Sequence, residues 1–91
     1  MLRLNCFFLA KEGKFDAALQ TAKALTERSI KHEGNIAYDV FASATRLDVF
    51  MICETWKSQE ALDKHMATPE FEKYVDIIHE CGTLKSEKFE F

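Results

Sequence analysis

The hydrophobic positions of this chain switch between a period of two and a period near 3.6 residues. A period of two places alternate side chains on opposite faces of a strand, whereas a period of 3.6 aligns them along one side of a helix. Three stretches have the strand period, residues 2–9, 35–42 and 83–91, and residues 49–56 begin with an unbroken apolar run that also indicates a strand. The pattern therefore predicts four β-strands, with helical segments between the first and second strands and between the third and fourth.

The two helical segments carry different start and stop signals. Residues 14 to about 32 form one amphipathic stretch, and Gly34 is predicted to close this helix as its C-terminal cap. The second segment begins after Ser58, a favourable N-cap residue, and restarts at Thr68 and Pro69, a second cap followed by a proline at the first helical position. The second segment is therefore predicted to contain a short helix and a longer one.

The order strand, helix, strand, strand, helix, strand predicts an α+β fold with the ferredoxin-like βαββαβ arrangement, in a single domain over residues 1–91. Its antiparallel sheet has helices on one face only, so the other face should be polar in a monomer. Here it is apolar, because Phe7 and Leu9 oppose Leu4 and Phe8 on the first strand, and residues 49–53 of the third form an unbroken apolar run that predicts burial on both faces. Monomers rarely expose such a surface, so we expect a homodimer whose two sheets close a barrel, with an exposed patch as the alternative.

Composition narrows the choice of partners and compartment. Twelve basic and fifteen acidic residues give a net charge of −3 without a basic cluster, so we expect no nucleic-acid partner. The apolar start, residues 1–10, is too short to span a bilayer and lacks the features of a signal peptide, so we expect a cytoplasmic protein with no membrane partner. The spacing of Cys6, Cys53 and Cys81 fits neither a disulfide framework nor a zinc site, and we expect buried thiols.

Candidate chemistry lies on the third strand and the helix after it. Glu54 and Trp56 share a strand face, and Tyr38 and Asn5 could add hydrogen bonds in an apolar pocket inside the barrel. Cys6 is the alternative to Asn5, depending on which face of the sheet lines the pocket. His65 titrates near neutral pH, which suits proton transfer to or from a phenol or quinol. The residues alone favour core packing over a catalytic or stacking role for His65 and Trp56, and Glu54 has the pattern of a surface or strand-edge carboxylate.

No motif in the sequence indicates a cofactor. The chain has no glycine-rich phosphate loop, no nucleophile with a placed base and no carboxylates at metal-binding spacing. His32 and His79 lack partners at metal-ligand spacing and are expected to be solvated residues near helix ends. We therefore expect no flavin, nicotinamide or metal.

One ordered set of short motifs runs through the chain. It consists of Gly13 before a helix, Glu33-Gly34 before Tyr38, Glu54-x-Trp56-x-Ser58, Glu60-Ala61-Leu62, His65, Thr68-Pro69 and Phe71. In order and spacing the set resembles the antibiotic biosynthesis monooxygenase domain, a family of small dimeric α+β barrels that includes the quinol monooxygenases. The resemblance covers nearly the whole chain and implies a homodimer with ligand pockets between sheet and helices. It also implies oxidation of a quinol or small polyphenol by dioxygen without a cofactor.

The resemblance also implies roles for the candidate residues. His65 would accept the proton, Trp56 would form a stacking wall, and Tyr38 or Asn5 would donate a hydrogen bond, with Glu54 beside the substrate. An electron-rich phenolate can reduce dioxygen directly, so the protein need only hold the substrate dry, deprotonate it and stabilise the anion.

Other functions stay open at this point. The haem-degrading branch of the family has a Trp where this chain has His65, and Val75 lies near the place of its iron-binding His, so haem is not expected. A non-catalytic barrel that binds a small apolar metabolite needs the same pocket but no role for His65. A barrel filled by its own side chains would serve assembly alone.

Overall fold

The computed structural model describes residues 1–91 and contains the predicted elements in the predicted order. They are β1 (Leu2–Ala10), α1 (Phe15–Ser29), β2 (Asn35–Ala42), β3 (Val49–Trp56), α2 (Gln59–Met66), α3 (Pro69–Cys81) and β4 (Gly82–Glu90). The α+β class and the ferredoxin-like βαββαβ arrangement are confirmed, with α2 and α3 as the two parts of the second helical segment. No helix combines the length and the apolar character needed to cross a membrane.

The four strands form one antiparallel sheet in the order β2-β3-β1-β4. In its register Tyr38 of β2 lies opposite Glu54 of β3, and Glu54 lies opposite Leu4 of β1. The pairing of β2 with β3 shifts between Asn35 and Ala37. Such an irregularity bends the strand locally and can redirect the side chains beside it. It lies immediately before Tyr38, which is the only buried residue of β2.

One face of the sheet packs against the helices and forms the core. Phe8 and Phe50 stack across β1 and β3 with ring centroids 4.5 Å apart, and neither is more than 1% exposed. Ala18 and Ala22 of α1 are fully buried, and these small side chains let the helix lie close to its neighbours. The core therefore lies entirely on the helical side of the sheet.

The other face of the sheet is open in the single chain. Phe7, Phe41 and Phe89 are each about half exposed, at 43%, 51% and 48%. On β3 the helix-facing residues 50, 52, 54 and 56 are all buried, whereas Met51 on the open face is only partly covered. In the isolated chain the second face of β3 is only partly covered, so burial of β3 on both faces stays a prediction for a dimer.

The helix ends agree with the sequence signals at two places and differ at one. The hydroxyl of Ser58 accepts from the backbone N–H of Ala61 at 3.2 Å, and that of Thr68 accepts from the N–H of Phe71 at 3.3 Å, as N-caps should. The prediction that Gly34 caps α1 is wrong, because α1 ends at Ser29. From Lys31 onward the backbone bonds three positions back, as in the His32 N–H to Ser29 carbonyl bond of 3.0 Å, which tightens the turn before Gly34 is reached.

Candidate active site

A group of polar side chains is buried between the sheet and the helices. Glu54 and Trp56 point to the helical side because they are two residues apart on β3, and Tyr38 joins them through its register with Glu54. His65 reaches the same region from the last turn of α2. All four are at most 6% exposed, so the structure brings together four of the five residues that the sequence singled out.

Glu54 is the central polar group of this region. The indole Nε1–H of Trp56 donates to Oε1 at 2.8 Å, and the thiol of Cys6 donates to Oε2 at a sulfur distance of 3.7 Å. Burial raises the pKa of the Glu54 carboxyl, and the bonds from Trp56 and Cys6 oppose that rise. The alternative that Glu54 is a surface carboxylate is wrong, since its strand position turns it into the core. A buried carboxylate of this kind is a stronger base than an exposed one.

The neighbouring thiol and phenol stay protonated at neutral pH. Burial, with a further contribution from Glu54, raises the pKa of Cys6 to about 12. The same two causes raise the pKa of Tyr38 above its ordinary value. Both groups are therefore hydrogen-bond donors. As expected, Cys6 and Cys81 are buried free thiols, whereas Cys53 is only partly buried; the contact of Cys6 with a carboxylate was not predicted.

His65 lies in a cage of aromatic rings. Its ring centroid is 4.5 Å from that of Trp56, 4.9 Å from Phe71 and 5.7 Å from Tyr38, and the residue is 1% exposed. Burial, and then the proximity of His32, lowers the pKa of His65 from 6.5 to about 4. At neutral pH the imidazole is therefore uncharged, and its Nε2 atom has no hydrogen-bond partner in the protein.

His32 is also part of this region, which sequence reasoning missed. Its Nδ1 lies 2.8 Å from Nδ1 of His65, and its Nε2 lies 3.4 Å from Oε2 of Glu70. With a side chain only 16% exposed, His32 is not the solvated residue that was predicted, because the turn after α1 folds it against α2. His79 is exposed on α3, as expected.

A cavity of about 200 Å³ opens beside this group, between the sheet and α2 and α3. Pockets for drug-sized ligands occupy roughly 300–1,000 Å³, so this one suits a ligand of one or two fused rings. Eleven of its fourteen lining residues are hydrophobic. The lining residues are Leu4, Cys6, Leu25, Tyr38, Ile52, Glu54, Leu62, Met66, Phe71, Val75, Ile78, His79, Leu84 and Ser86.

Only two of the four buried site residues contact the cavity directly. Glu54 and Tyr38 form part of the wall, whereas Trp56 and His65 lie behind it, and Phe71 supplies an aromatic wall in the place predicted for Trp56. The pocket was predicted inside a barrel of two sheets, but the buried groups face the helices of the same chain. A larger depression of about 330 Å³ beside Gly34 is lined mainly by charged and polar groups and contains none of these residues.

Asn5 is not brought to this cavity. It lies on the open face of the sheet, where its Oδ1 accepts from the thiol of Cys53 at 3.5 Å. Its neighbour Cys6 occupies the cavity wall instead. The prediction that Asn5 joins Tyr38 in one pocket is therefore wrong for the single chain, because the alternation of β1 turns residues 5 and 6 to opposite sides.

The polar side chains of the structure do not form a metal site. The chain has no group of three His, Cys, Asp or Glu side chains placed to hold a metal ion. What the site offers is an apolar cavity, one buried carboxylate, two protonated donors and a neutral imidazole behind the wall. This set can bind a planar apolar ligand and exchange a proton with one of its hydroxyl groups.

The fold and this helix-side cavity agree with the family that matches the sequence. The family described as antibiotic biosynthesis monooxygenase matches residues 1–77, and the chain belongs to this family.

Individual relatives support the assignment. The Bacillus subtilis (strain 168) protein named "Putative monooxygenase YcnE" is 31% identical over 75 residues, which cover 82% of this chain and 79% of that protein. A crystal structure of a conserved protein of unknown function from Bacteroides thetaiotaomicron VPI-5482, described as "Possible Oxidoreductase", is 52% identical, with a TM-score of 0.96 and coverage of 99% and 96%. SnoaB, a cofactor-independent oxygenase from Streptomyces nogalater, has a TM-score of 0.89 at 11% identity over 99% and 91% of the two chains, which shows the shared fold alone.

Proposed function

We propose that this chain is a cofactor-independent monooxygenase that oxidises a small quinol or polyphenolic aromatic with dioxygen. The observation that carries the proposal is the buried Glu54 carboxylate, whose raised pKa suits a phenolic proton, on the wall of an apolar cavity. The family and the monooxygenase name of its Bacillus relative support the reaction class.

The first step is a proton transfer inside the cavity. The O–H bond of a substrate phenol breaks, and the proton goes to a carboxylate oxygen of Glu54. The negative charge moves from the carboxylate to the substrate oxygen, so the cavity gains no additional charge and no additional desolvation cost. The hydroxyl of Tyr38, which stays protonated, donates a hydrogen bond to the new phenolate.

The later steps use the substrate and dioxygen only. The phenolate gives one electron to dioxygen, and the superoxide joins the resulting ring-carbon radical as a peroxide. Protonated Glu54 returns its proton to the peroxide oxygen, and loss of water from the carbon that bears hydrogen and peroxide leaves a carbonyl. One oxygen atom ends in the product and the other in water, and Glu54 is again ionised.

His65 was predicted as the proton acceptor, and its position behind the wall leads us to assign that step to Glu54 instead. His65 packs on the indole of Trp56, whose Nε1–H holds Oε1 of Glu54. We therefore propose that His65 and Trp56 orient the carboxylate.

We also propose that the chain acts as a homodimer in the cytoplasm. The open sheet face carries Phe7, Phe41 and Phe89, and a second copy of the same face would bury them. All three cysteines are free thiols, which suits a reducing compartment. The cavity lies on the other side of the sheet, so each copy would keep its own site.

Oxygen consumption tests the proposed activity directly. Wild-type protein is mixed with a panel of reduced quinols, menadiol among them, and uptake is compared with the autoxidation background. We expect uptake above background, a loss of roughly 10²–10⁴-fold in Glu54→Gln, which keeps the side-chain shape but removes the base, and a smaller loss in Tyr38→Phe. Each variant is first shown to fold by circular dichroism.

The outcomes separate the candidates. Equal uptake by wild type and Glu54→Gln would contradict the role of Glu54, and a loss confined to His65→Gln would return proton transfer to His65. If no quinol supports uptake, the proposed activity is wrong.

A second candidate is a non-catalytic barrel that binds a small apolar metabolite, favoured by the eleven hydrophobic residues among the fourteen of the wall. Quenching of the Trp56 fluorescence by quinones and other planar ligands, without oxygen uptake, would support it. Since Trp56 is the single tryptophan, its signal reports on this site alone.

A further inference from the structure

Three helix ends meet at a chain of hydrogen-bonding side chains. Glu70 lies in the first turn of α3, His65 lies in the last turn of α2, and His32 lies in the turn after α1. A carboxylate at a helix N-terminus and imidazoles near helix C-termini all suit the helix dipoles. The chain runs from the partly exposed Glu70 through His32 to the fully buried His65.

Only one hydrogen can lie between the two imidazole nitrogens that face each other. Nδ1 of His32 and Nδ1 of His65 are 2.8 Å apart, a hydrogen-bond distance, and one of them must donate while the other accepts. The direction of this bond determines where His65 carries its proton. If His65 donates from Nδ1, its Nε2 has a lone pair, and if His65 accepts, its Nε2 carries the hydrogen.

Glu70 fixes the direction when His32 is uncharged. The ionised carboxylate can only accept, so Nε2 of His32, 3.4 Å away, must carry the hydrogen. Nδ1 of neutral His32 is then an acceptor, and His65 must donate to it. The opposite arrangement would point the lone pair of His32 Nε2 at the lone pairs of the Glu70 carboxylate, which is repulsive.

Protonation of His32 reverses the direction. A cationic His32 carries hydrogens on both ring nitrogens, so its Nδ1 must donate to Nδ1 of His65. His65 then holds its own proton on Nε2. The imidazole in the core stays neutral in both states, because its burial disfavours the imidazolium form.

We propose that His32 and Glu70 are positioning residues that set the hydrogen-bonding character of His65. Nε2 of His65 is an acceptor when His32 is neutral and a donor when His32 is protonated. A change in the charge of His32 thereby converts Nε2 of His65 from an acceptor to a donor, and no charge is placed inside the aromatic cage.

Other titratable groups lie near the hydrogen-bonded series of Glu70, His32 and His65 but are not part of it. Arg28 of α1 contributes to the field at Glu70, and the pKa of Glu70 is held low by its own backbone N–H, then by His32. On the sheet side, His65 faces Tyr38, which stays protonated, and Trp56, which connects it to Glu54. Glu54 is the remaining group on that side that can change charge, so its effect is tested separately.

Nitrogen NMR of the full chain tests the proposal. Two-bond proton–nitrogen correlations of ¹⁵N-labelled protein report which ring nitrogen of each histidine carries hydrogen, and a His79→Gln variant simplifies the assignment. Spectra are recorded at a series of pH values, and we expect His65 to be in the Nδ1–H form wherever His32 is neutral and in the Nε2–H form wherever His32 is cationic. His65 itself should show no cationic pattern in that series.

Three variants act as controls. In His32→Gln the amide can accept from or donate to Nδ1 of His65 but cannot titrate, so His65 should keep one tautomer throughout. In Glu70→Gln the change of His65 from the Nδ1–H to the Nε2–H form should occur at lower pH, because no carboxylate stabilises the cationic form of His32. In Glu54→Gln the same change should persist, since Glu54 is not part of the hydrogen-bonded series.

Three results would overturn the proposal: an Nε2–H form of His65 at high pH, joint conversion of both histidines to cations, or a change of the His65 tautomer with pH in His32→Gln. If His32→Gln fails to fold, Glu70→Gln still decides, because a change of tautomer at an unchanged pH would contradict the role of the carboxylate. The spectra need no substrate, so they are independent of the oxygen-uptake result.

Discussion

At the scale of single residues, burial shifts the pKa values of Glu54 and His65, like those of Cys6 and Tyr38, toward the neutral form of each group. Burial lowers the pKa of His65 to about 4 and raises that of Glu54. Between about pH 6.5 and about pH 4 the folded state binds fewer protons at His65 than the unfolded state does, so this residue makes the protein less stable as pH falls. Glu54 acts in the opposite direction, because its carboxyl gains a proton more readily when folded.

The contribution of His65 can therefore be measured in a Glu54→Gln background. We expect the free energy of unfolding to fall by about 1–3 kcal/mol between pH 7 and pH 4.5, measured by urea denaturation. Adding His65→Gln should flatten this dependence, whereas adding His79→Gln, at an exposed site, should leave it unchanged. An equally steep dependence without His65 would show that its burial is not the cause.

At the scale of elements, Gly34 joins the turn after α1 to the start of α2. Its φ of 81° is in the left-handed region that favours glycine, and a Cβ there would collide with the Cβ of Ala61. Its carbonyl also accepts from the N–H of Lys57 at 2.8 Å, which ties this turn to the end of β3. The turn that carries His32 toward His65 therefore depends on a position without a side chain.

Gly13 provides a matched control for Gly34. Its φ is 77°, but a Cβ there would meet no atom within 4 Å. We expect Gly34→Ala to destabilise the fold by about 2–4 kcal/mol and Gly13→Ala by about 1–2 kcal/mol, because only the first adds a steric collision to the backbone cost. Chemical denaturation of both variants measures the difference, and equal losses would mean that the contact with Ala61 relaxes freely.

The elements were predictable from sequence because three strands alternate, the third begins with an unbroken apolar run, and Ser58 and Thr68 are strong local caps. The end of α1 was not, since the backbone bonds after the helix tighten to a spacing of three residues before Gly34 is reached. Glu54, Trp56 and Tyr38 could be grouped from strand period and family resemblance. The place of His32 beside His65 could not, because it depends on how three helix ends meet, and which side of the sheet holds the cavity depends on the helices rather than on the strand pattern.

At the scale of the whole molecule, the open sheet face should determine assembly. Phe7 lies on the central strand β1 and is 43% exposed, with Met51 as its register neighbour. We expect wild-type protein to sediment as a dimer and Phe7→Glu as a monomer. The substitution removes two phenylalanine side chains from each dimer interface, and burial of each stabilises the dimer by about 2 kcal/mol. The Kd for dissociation of the dimer should therefore rise on the order of a thousandfold.

Leu47 offers a control for this substitution. It is 95% exposed but lies in the loop between β2 and β3 rather than on the sheet face. Leu47→Glu should leave the sedimentation unchanged. A wild-type monomer at all concentrations, or a dimer that survives Phe7→Glu, would mean that this face is not the interface.

The sheet separates the cavity from the proposed interface by the thickness of one strand. Neighbouring residues on β1 and β3 belong to different surfaces, as Asn5 and Cys6 do, and as Cys53 and Glu54 do. Substitutions at odd and even positions can therefore change assembly and ligand choice independently during evolution. The insertion or deletion of one residue in either strand would exchange the two sets of side chains, so these strands are free to vary in composition but not in length.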